Sequence, residues 1–239
     1  MVSTIVSLGR SAPSGSSSVT DVPGSYSPAA RLPLRLRRWL ALGSTVGMLG
    51  FVGGMFWYQD WRYDLPTPRP ANLMQPPIGS RIPSPPAVMA ALGEGATRPV
   101  FLHFMNPACP CTKFNREHVT ALARRFGTDV TFLAVLEAAP DTDPAAAFAS
   151  FGLPMRAVED ADGAIARAYG VYSTPQAVLV DARGRLRFRG NYNASRYCTD
   201  ERTEFARIAL ERLLAGRPLG SIPAAATRAY GCALPANGA

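Results

Sequence analysis

Cys109 and Cys111, separated only by Pro110, are the residues in this chain best suited to do chemistry. A thiolate is a nucleophile toward disulfides and a soft ligand for monovalent copper, so a close pair permits either thiol–disulfide exchange or metal binding. Two further cysteines, Cys198 and Cys232, lie far down the chain. Three readings stay open for them: a structural bridge clamping the C-terminal tail, a second redox pair passing electrons to Cys109, or free or intermolecular thiols. His103 stands six residues before Cys109. It is either a proton shuttle with a pKa near neutrality or a buried histidine hydrogen-bonded to backbone.

The elements around these residues read as α/β. Pro99–Met105 is a short apolar run with β character, Cys109–Phe126 has helical spacing with Phe114, Val119, Leu122 and Phe126 on one side, and Val130–Leu136 is a second apolar run. Strand, helix and strand within so few residues predict a parallel βαβ unit. It places Cys109 at a helix start, where unpaired N–H groups and the positive end of the dipole lower a thiol pKa. Pro107 suits that first turn, where its missing N–H costs nothing. Short helices are expected at 144–151 and 162–169, a strand at 176–181, a turn at 182–185 and a returning strand at 186–190. Arg185, Arg187 and Arg189 alternate with Leu186 and Phe188, which predicts one polar and one buried strand face. An amphipathic helix follows at 199–214, with Phe205, Ile208, Ala209 and Leu213 as its stripe. His118 is expected on a helix surface, without a role.

This order of elements resembles the thioredoxin fold, and two segments make the resemblance specific. FLHFMNPACPCTKF puts cysteines between a buried strand and a helix, and AYGVYSTPQAVLVDARGRL resembles the segment carrying that family's cis Thr-Pro bond. The resemblance implies a central mixed sheet flanked by helices. It also implies a cis bond between Thr174 and Pro175 facing the cysteines, with Pro175 shaping the substrate groove. DADGAIARAYGV is similar to membrane-tethered periplasmic thioredoxin-like reductases. The Cys-Pro-Cys motif, with Cys198 and Gly231-Cys232, resembles an uncharacterised bacterial thioredoxin-like family, which supplies a fold but no activity.

The resemblance implies thiol–disulfide exchange with thiol- or disulfide-bearing envelope proteins and no cofactor. Cys109 would be the nucleophile, with Cys111 or Cys198 resolving. Against the family pattern, one residue separates the cysteines instead of two, and Thr112 takes the second cysteine's place. A Cys109–Cys111 disulfide closes a ring of about 11 atoms instead of about 14, and such strain makes a disulfide more oxidising. A Cu(I) site formed by Cys109, Cys111 and His103 is the alternative. The peroxidase pattern is not met, because Asn106 stands where that family has Thr or Ser.

The rest of the chain reads as an anchor. Residues 1–38 are expected to be a disordered tail. The uncharged stretch 39–58 matches the thickness of a bilayer core when helical. Trp39, Trp57 and Tyr58 mark its ends, and no small-x-small cleavage site directly follows it. Arg31, Arg35, Arg37 and Arg38 precede the span, which puts the tail in the cytoplasm and the rest in the periplasm of a bacterial inner membrane. Residues 59–96 are proline-rich and are expected to be a spacer, 97–216 the thioredoxin-like domain, and 217–239 an irregular tail. The net charge is +8, but from Arg98 to Arg212 there are 15 basic and 13 acidic residues, so the folded part lacks the basic stripe of a nucleic-acid binder.

Overall fold

The computed structural model of the chain describes residues 33–93, 95–138, 142–195 and 200–237. The first element, α1 (Leu34–Asp64), is longer than the expected span. Arg35, Arg37 and Arg38 therefore belong to the helix and not to a disordered tail; residues 1–32 lie outside the described residues. Within α1, Leu34–Trp61 is long and apolar enough to cross a membrane, with mean hydropathy 1.5 and exposed side chains throughout.

The globular part is built on a five-stranded mixed sheet in the order β3-β2-β1-β5-β6. A short helix, α2 (Pro86–Leu92), precedes β1 (Val100–Met105), which leads into α3 (Pro110–Phe126) and β2 (Thr131–Leu136). Next come α4 (Pro144–Ala149), β3 (Arg156–Glu159) and α5 (Ala164–Tyr169), then β4 (Ser173–Thr174), β5 (Gln176–Val180) and β6 (Leu186–Gly190). The chain closes with α6 (Phe205–Leu214), α7 (Ala224–Thr227) and β7 (Cys232–Ala233). β1 pairs parallel with β2 and antiparallel with β5, β2 pairs parallel with β3, and β6 pairs antiparallel with β5. This is the expected α/β architecture: a thioredoxin-like mixed sheet flanked by helices, preceded by one apolar helix.

Side chains alternate across β1. Phe101 and Met105 join Val119, Leu122, Phe126, Phe205 and Leu210 on one face, while Leu102 and Phe104 join Val158, Ile165, Tyr169 and Val178 on the other. Phe114, expected in the α3 stripe, is 57% exposed. It stands five positions before Val119, more than one helical turn, so it falls off the buried side. Asn115, four before Val119, holds the position in the stripe. The pairing of β5 with β6 shifts register between Leu179 and Val180, which face Phe188 and Leu186, and Phe188 and Leu186 join opposite core clusters. The expected alternation of burial is present, with Leu186 and Phe188 buried and Arg187 and Arg189 half-buried, but the two apolar side chains do not share one face.

The stretch expected to be a spacer packs against the domain. Gly79 and Ile82 donate to the carbonyls of Leu186 and Gly184, Leu186 donates back to Ser80, and an antiparallel bridge joins Arg81 to Arg185. These bonds cover the outer edge of β6, which would otherwise present unpaired backbone groups. Arg185 donates to Gly79, and Arg189 to the carbonyls of Pro76 and Tyr169, so two of the three alternating arginines bind backbone. Ile82 and Val88 are buried in the core cluster around Leu102. The C-terminal tail, expected to be irregular, also packs back, with Ala226, Ala229 and Leu234 fully buried. Prolines scattered through 65–87 masked the first segment, and short apolar groups masked the second.

Ile82→Ala in the full-length chain is expected to cost about 2–3 kcal/mol of stability, read as a lower urea midpoint at unchanged slope. A change within about 0.5 kcal/mol would mean that the segment is a spacer after all.

Candidate functional site

Pro110 is the first residue of α3, and its missing N–H falls where a helix has no intrahelical acceptor to lose. It takes the role expected of Pro107, which lies in the turn before the helix. Cys109 is the N-cap residue in extended conformation, and Arg124 and Arg125 sit in the last turn, where they complement the dipole. Ahead of Cys109 the chain makes a tight turn. Asn106 accepts from Ala108 through its side chain and from Cys109 through its backbone carbonyl.

That turn is fixed to the far side of the site by Thr174. Its hydroxyl accepts from the Asn106 N–H at 3.1 Å and lies 3.3 Å from the Thr112 hydroxyl. The bond from Thr174 to Pro175 is cis. Thr112, at the second cysteine's place in the family pattern, is buried against Thr174. Cys111 turns elsewhere, and its Sγ lies 3.8 Å from that of Cys232. Cys109, Cys111 and Cys232 place their three sulfurs within 4.8 Å of one another. Cys198 and its expected bridge to Cys232 lie outside the described residues.

Cys232 arrives on β7, which pairs antiparallel with β4 in the register Thr174 opposite Cys232 and Ser173 opposite Ala233. Gly231 makes this approach possible. Its φ is +121°, and a Cβ there would stand 2.4 Å from the Thr174 carbonyl oxygen. Thr67, from the supposed spacer, lies 3.1 Å from the Ser173 hydroxyl and donates to the Gly231 carbonyl. A cavity of about 20 Å³, room for about one water, is lined by Cys111, Asn115, Pro175, Tyr192 and Tyr230, among others.

The electrostatics favour a thiolate at Cys109. A hydrogen bond from the Cys111 side chain lowers its pKa, against opposing effects of burial and of Cys232. A nucleophile must be reachable, and this sulfur is covered in the described state. Cys109 is 5% exposed and Cys111 6%, while Cys232 is half-buried.

His103 does not join the sulfurs. It is 1% exposed, and its Nδ1 lies 2.7 Å from the Tyr192 hydroxyl. Burial drives its pKa down to about 3, so it stays neutral where a shuttle would have to titrate. His118, expected on the surface, packs edge-on against Tyr192, with its Nδ1 3.8 Å from Glu204. Burial lowers its pKa as well. Beyond the sulfurs, Glu137 is 2% exposed and accepts from the Ala236 N–H, holding the segment that follows β7. Burial raises its pKa to about 7. Asp160, also raised by burial, accepts from the N–H groups of Ile165 and Ala166 at the start of α5.

The sequence profile of a domain of unknown function, DUF6436, matches residues 84–234. The chain belongs to this family. No curated protein matches it. Among solved structures it is similar to an uncharacterized conserved protein from Geobacillus kaustophilus, with 23% identity, a TM-score of 0.55, and coverage of 66% of this chain and 91% of that one. A hypothetical protein from Sinorhizobium meliloti gives 21% identity, a TM-score of 0.53, and coverage of 67% and 95%. A secreted disulfide oxidoreductase from Mycobacterium tuberculosis gives 24% identity, coverage of 48% and 81%, and a TM-score of 0.39, too low to bear on function. The family match takes in Cys109, Cys111, Cys198 and Cys232 alike.

Cys111→Ala is expected to raise the Cys109 pKa, because the donor holding its thiolate is gone. Thiolate absorbance titrated against pH, as a difference from Cys109→Ala, reads the shift; an unmoved midpoint would deny the contact any influence. For Glu137 the folded value of about 7 exceeds the ordinary 4.5. Its contribution to stability is thus complete below pH 4.5 and is lost as pH rises through 7. Glu137→Gln is expected to flatten the fall of the urea midpoint across that window, and an identical slope in the variant would assign the fall to other groups.

Proposed function

We propose that this chain is a membrane-anchored thiol–disulfide oxidoreductase acting on proteins of the cell envelope. The observation that carries it is the placement of Cys109 at the N-terminus of α3, beside Cys111 and Cys232 and with its pKa lowered by Cys111. Cys109 thiolate attacks a substrate disulfide, forming a mixed disulfide and releasing one substrate thiolate. Cys111, deprotonated, then attacks the Cys109 sulfur, which closes the Cys109–Cys111 bond and expels the second substrate thiolate. Run backward, the same steps oxidise a dithiol. Because Cys109 is covered, the site must open locally before a protein substrate enters, and the segment carrying Cys232 is the part lying against the sulfurs. The span Leu34–Trp61 anchors the chain, and Arg35, Arg37 and Arg38 at its N-terminal end orient the domain toward the periplasm.

A second reading, Cu(I) binding, is favoured by the three-sulfur cluster. Thiolates bound at about 2.3 Å around one soft ion stand close to 4 Å apart, comparable to the 3.8 Å between Cys111 and Cys232. Cys232 takes the place foreseen for His103. Titration of the reduced domain with Cu(I) against a competing chelator separates the two readings, and binding no tighter than micromolar discards this one.

Cys109→Ala is expected to abolish reduction of insulin disulfides by the full-length chain, whereas Cys111→Ala leaves substrate trapped on Cys109. Wild-type turnover in Cys109→Ala would remove the oxidoreductase reading.

A further inference from the structure

The C-terminal segment is fastened on both sides of Cys232. Before it, the Tyr230 hydroxyl donates to the Asn193 carbonyl, and Thr67 donates to the carbonyl of Gly231. After it, Leu234 is fully buried and donates to the Tyr172 carbonyl, and Ala236 donates to Glu137. Between these fastenings the backbone pairs with Ser173 and Thr174, and Gly231 allows the close approach. The result is a sulfur held 3.8 Å from Cys111, at contact distance and short of a bond. The three sulfurs lie within 4.8 Å of one another, and the Cys109 side chain meets both Cys111 and Cys232, so Cys111 stands within reach of either partner. Cys232 is also more exposed than Cys109 or Cys111.

We propose that Cys232 is a third redox thiol of this site, delivered by the chain's own terminal strand, and that oxidation comes to rest on a Cys111–Cys232 disulfide. The proposal builds on the exchange reading above. Once substrate has left a Cys109–Cys111 bond behind, Cys232 thiolate attacks the Cys111 sulfur. The Cys109–Cys111 bond breaks, the Cys111–Cys232 bond forms, and Cys109 returns as thiolate. Electrons are only redistributed in this step. An external dithiol resets the site by giving two electrons and two protons to the Cys111–Cys232 disulfide and becoming a disulfide itself. It meets the more exposed sulfur, Cys232, and does not need to reach Cys109.

The strand pairing adds a second property. β7 occupies the backbone edge of β4 directly beside the sulfurs, so an incoming extended chain that pairs there does so in competition with it. Reduction of the Cys111–Cys232 bond frees the strand to leave, whereas oxidation ties it down.

The experiment is a disulfide map. Reduced full-length protein in detergent is treated with one equivalent of diamide, quenched with acid and N-ethylmaleimide, digested and read by mass spectrometry for all four cysteines. The wild type is expected to show Cys111–Cys232 over Cys109–Cys111 by about tenfold or more, and Cys232→Ser to show Cys109–Cys111 in its place. A wild-type map dominated by Cys109–Cys111, or by Cys198–Cys232, overturns the proposal. Gly231→Val, whose side chain cannot fit against the Thr174 carbonyl, is expected to lose the Cys111–Cys232 link while still forming Cys109–Cys111. An unchanged link in that variant overturns delivery by the strand. Insulin turnover separates the two levels. If Cys109→Ala is inactive and Cys232 never pairs with Cys111, only this inference falls; if Cys109→Ala is active, the oxidoreductase reading falls whatever the map shows.

Discussion

A single threonine ties three parts of the chain to one point. The Thr174 hydroxyl is fully buried and must find partners there. It finds them in the Asn106 N–H of the cysteine turn and in Thr112 of the first turn of α3. The backbone of the same residue pairs with Cys232. The turn, the helix start and the terminal strand come from sequence positions far apart, and none of them would hold a sulfur in place alone.

The central layer was legible because its physics is local. β1, β2 and β5 are short apolar runs buried on both faces, and α3 opens on proline and closes on a buried stripe with basic residues in its last turn. The cis bond at Pro175 could be read only through the resemblance. β3 could not be read at all, because just one of its four residues is buried and no period appears. The docked segment before β1 was hidden by its prolines. They suggest an extended spacer, but extended chain is also what is needed to cover a strand edge, as 79–82 does for β6.

Among the site residues, Cys109 and Cys111 announced themselves by spacing, whereas the partner of Cys232 depended on long-range topology. Gly231 was the one local clue, since a glycine ahead of a cysteine marks close backbone approach. His103 left two readings open for a different reason, and its burial favours the structural one, with the Tyr192 hydroxyl in place of backbone as partner. Its type suggested titration near neutrality, but complete burial beside Tyr192 fixes its charge state instead. The arginines of β6 were read as a solvated face, yet Arg189 spends its donors on backbone carbonyls of two neighbouring segments.

The contact between Cys111 and Cys232 joins positions 121 residues apart. A covalent link there would close a loop spanning most of the domain, and in the chain-entropy account a loop near that size restricts the unfolded ensemble by about 4–5 kcal/mol. By linkage, whatever the bond adds to folding, folding adds to the bond. A three-residue Cys-Pro-Cys ring gains far less in this way, about 1.6 kcal/mol on the same relation, and carries the strain of so small a ring. The cohesion of the whole domain would therefore set the direction in which electrons settle, making the long-range cystine the thermodynamic sink and the short ring only a waypoint.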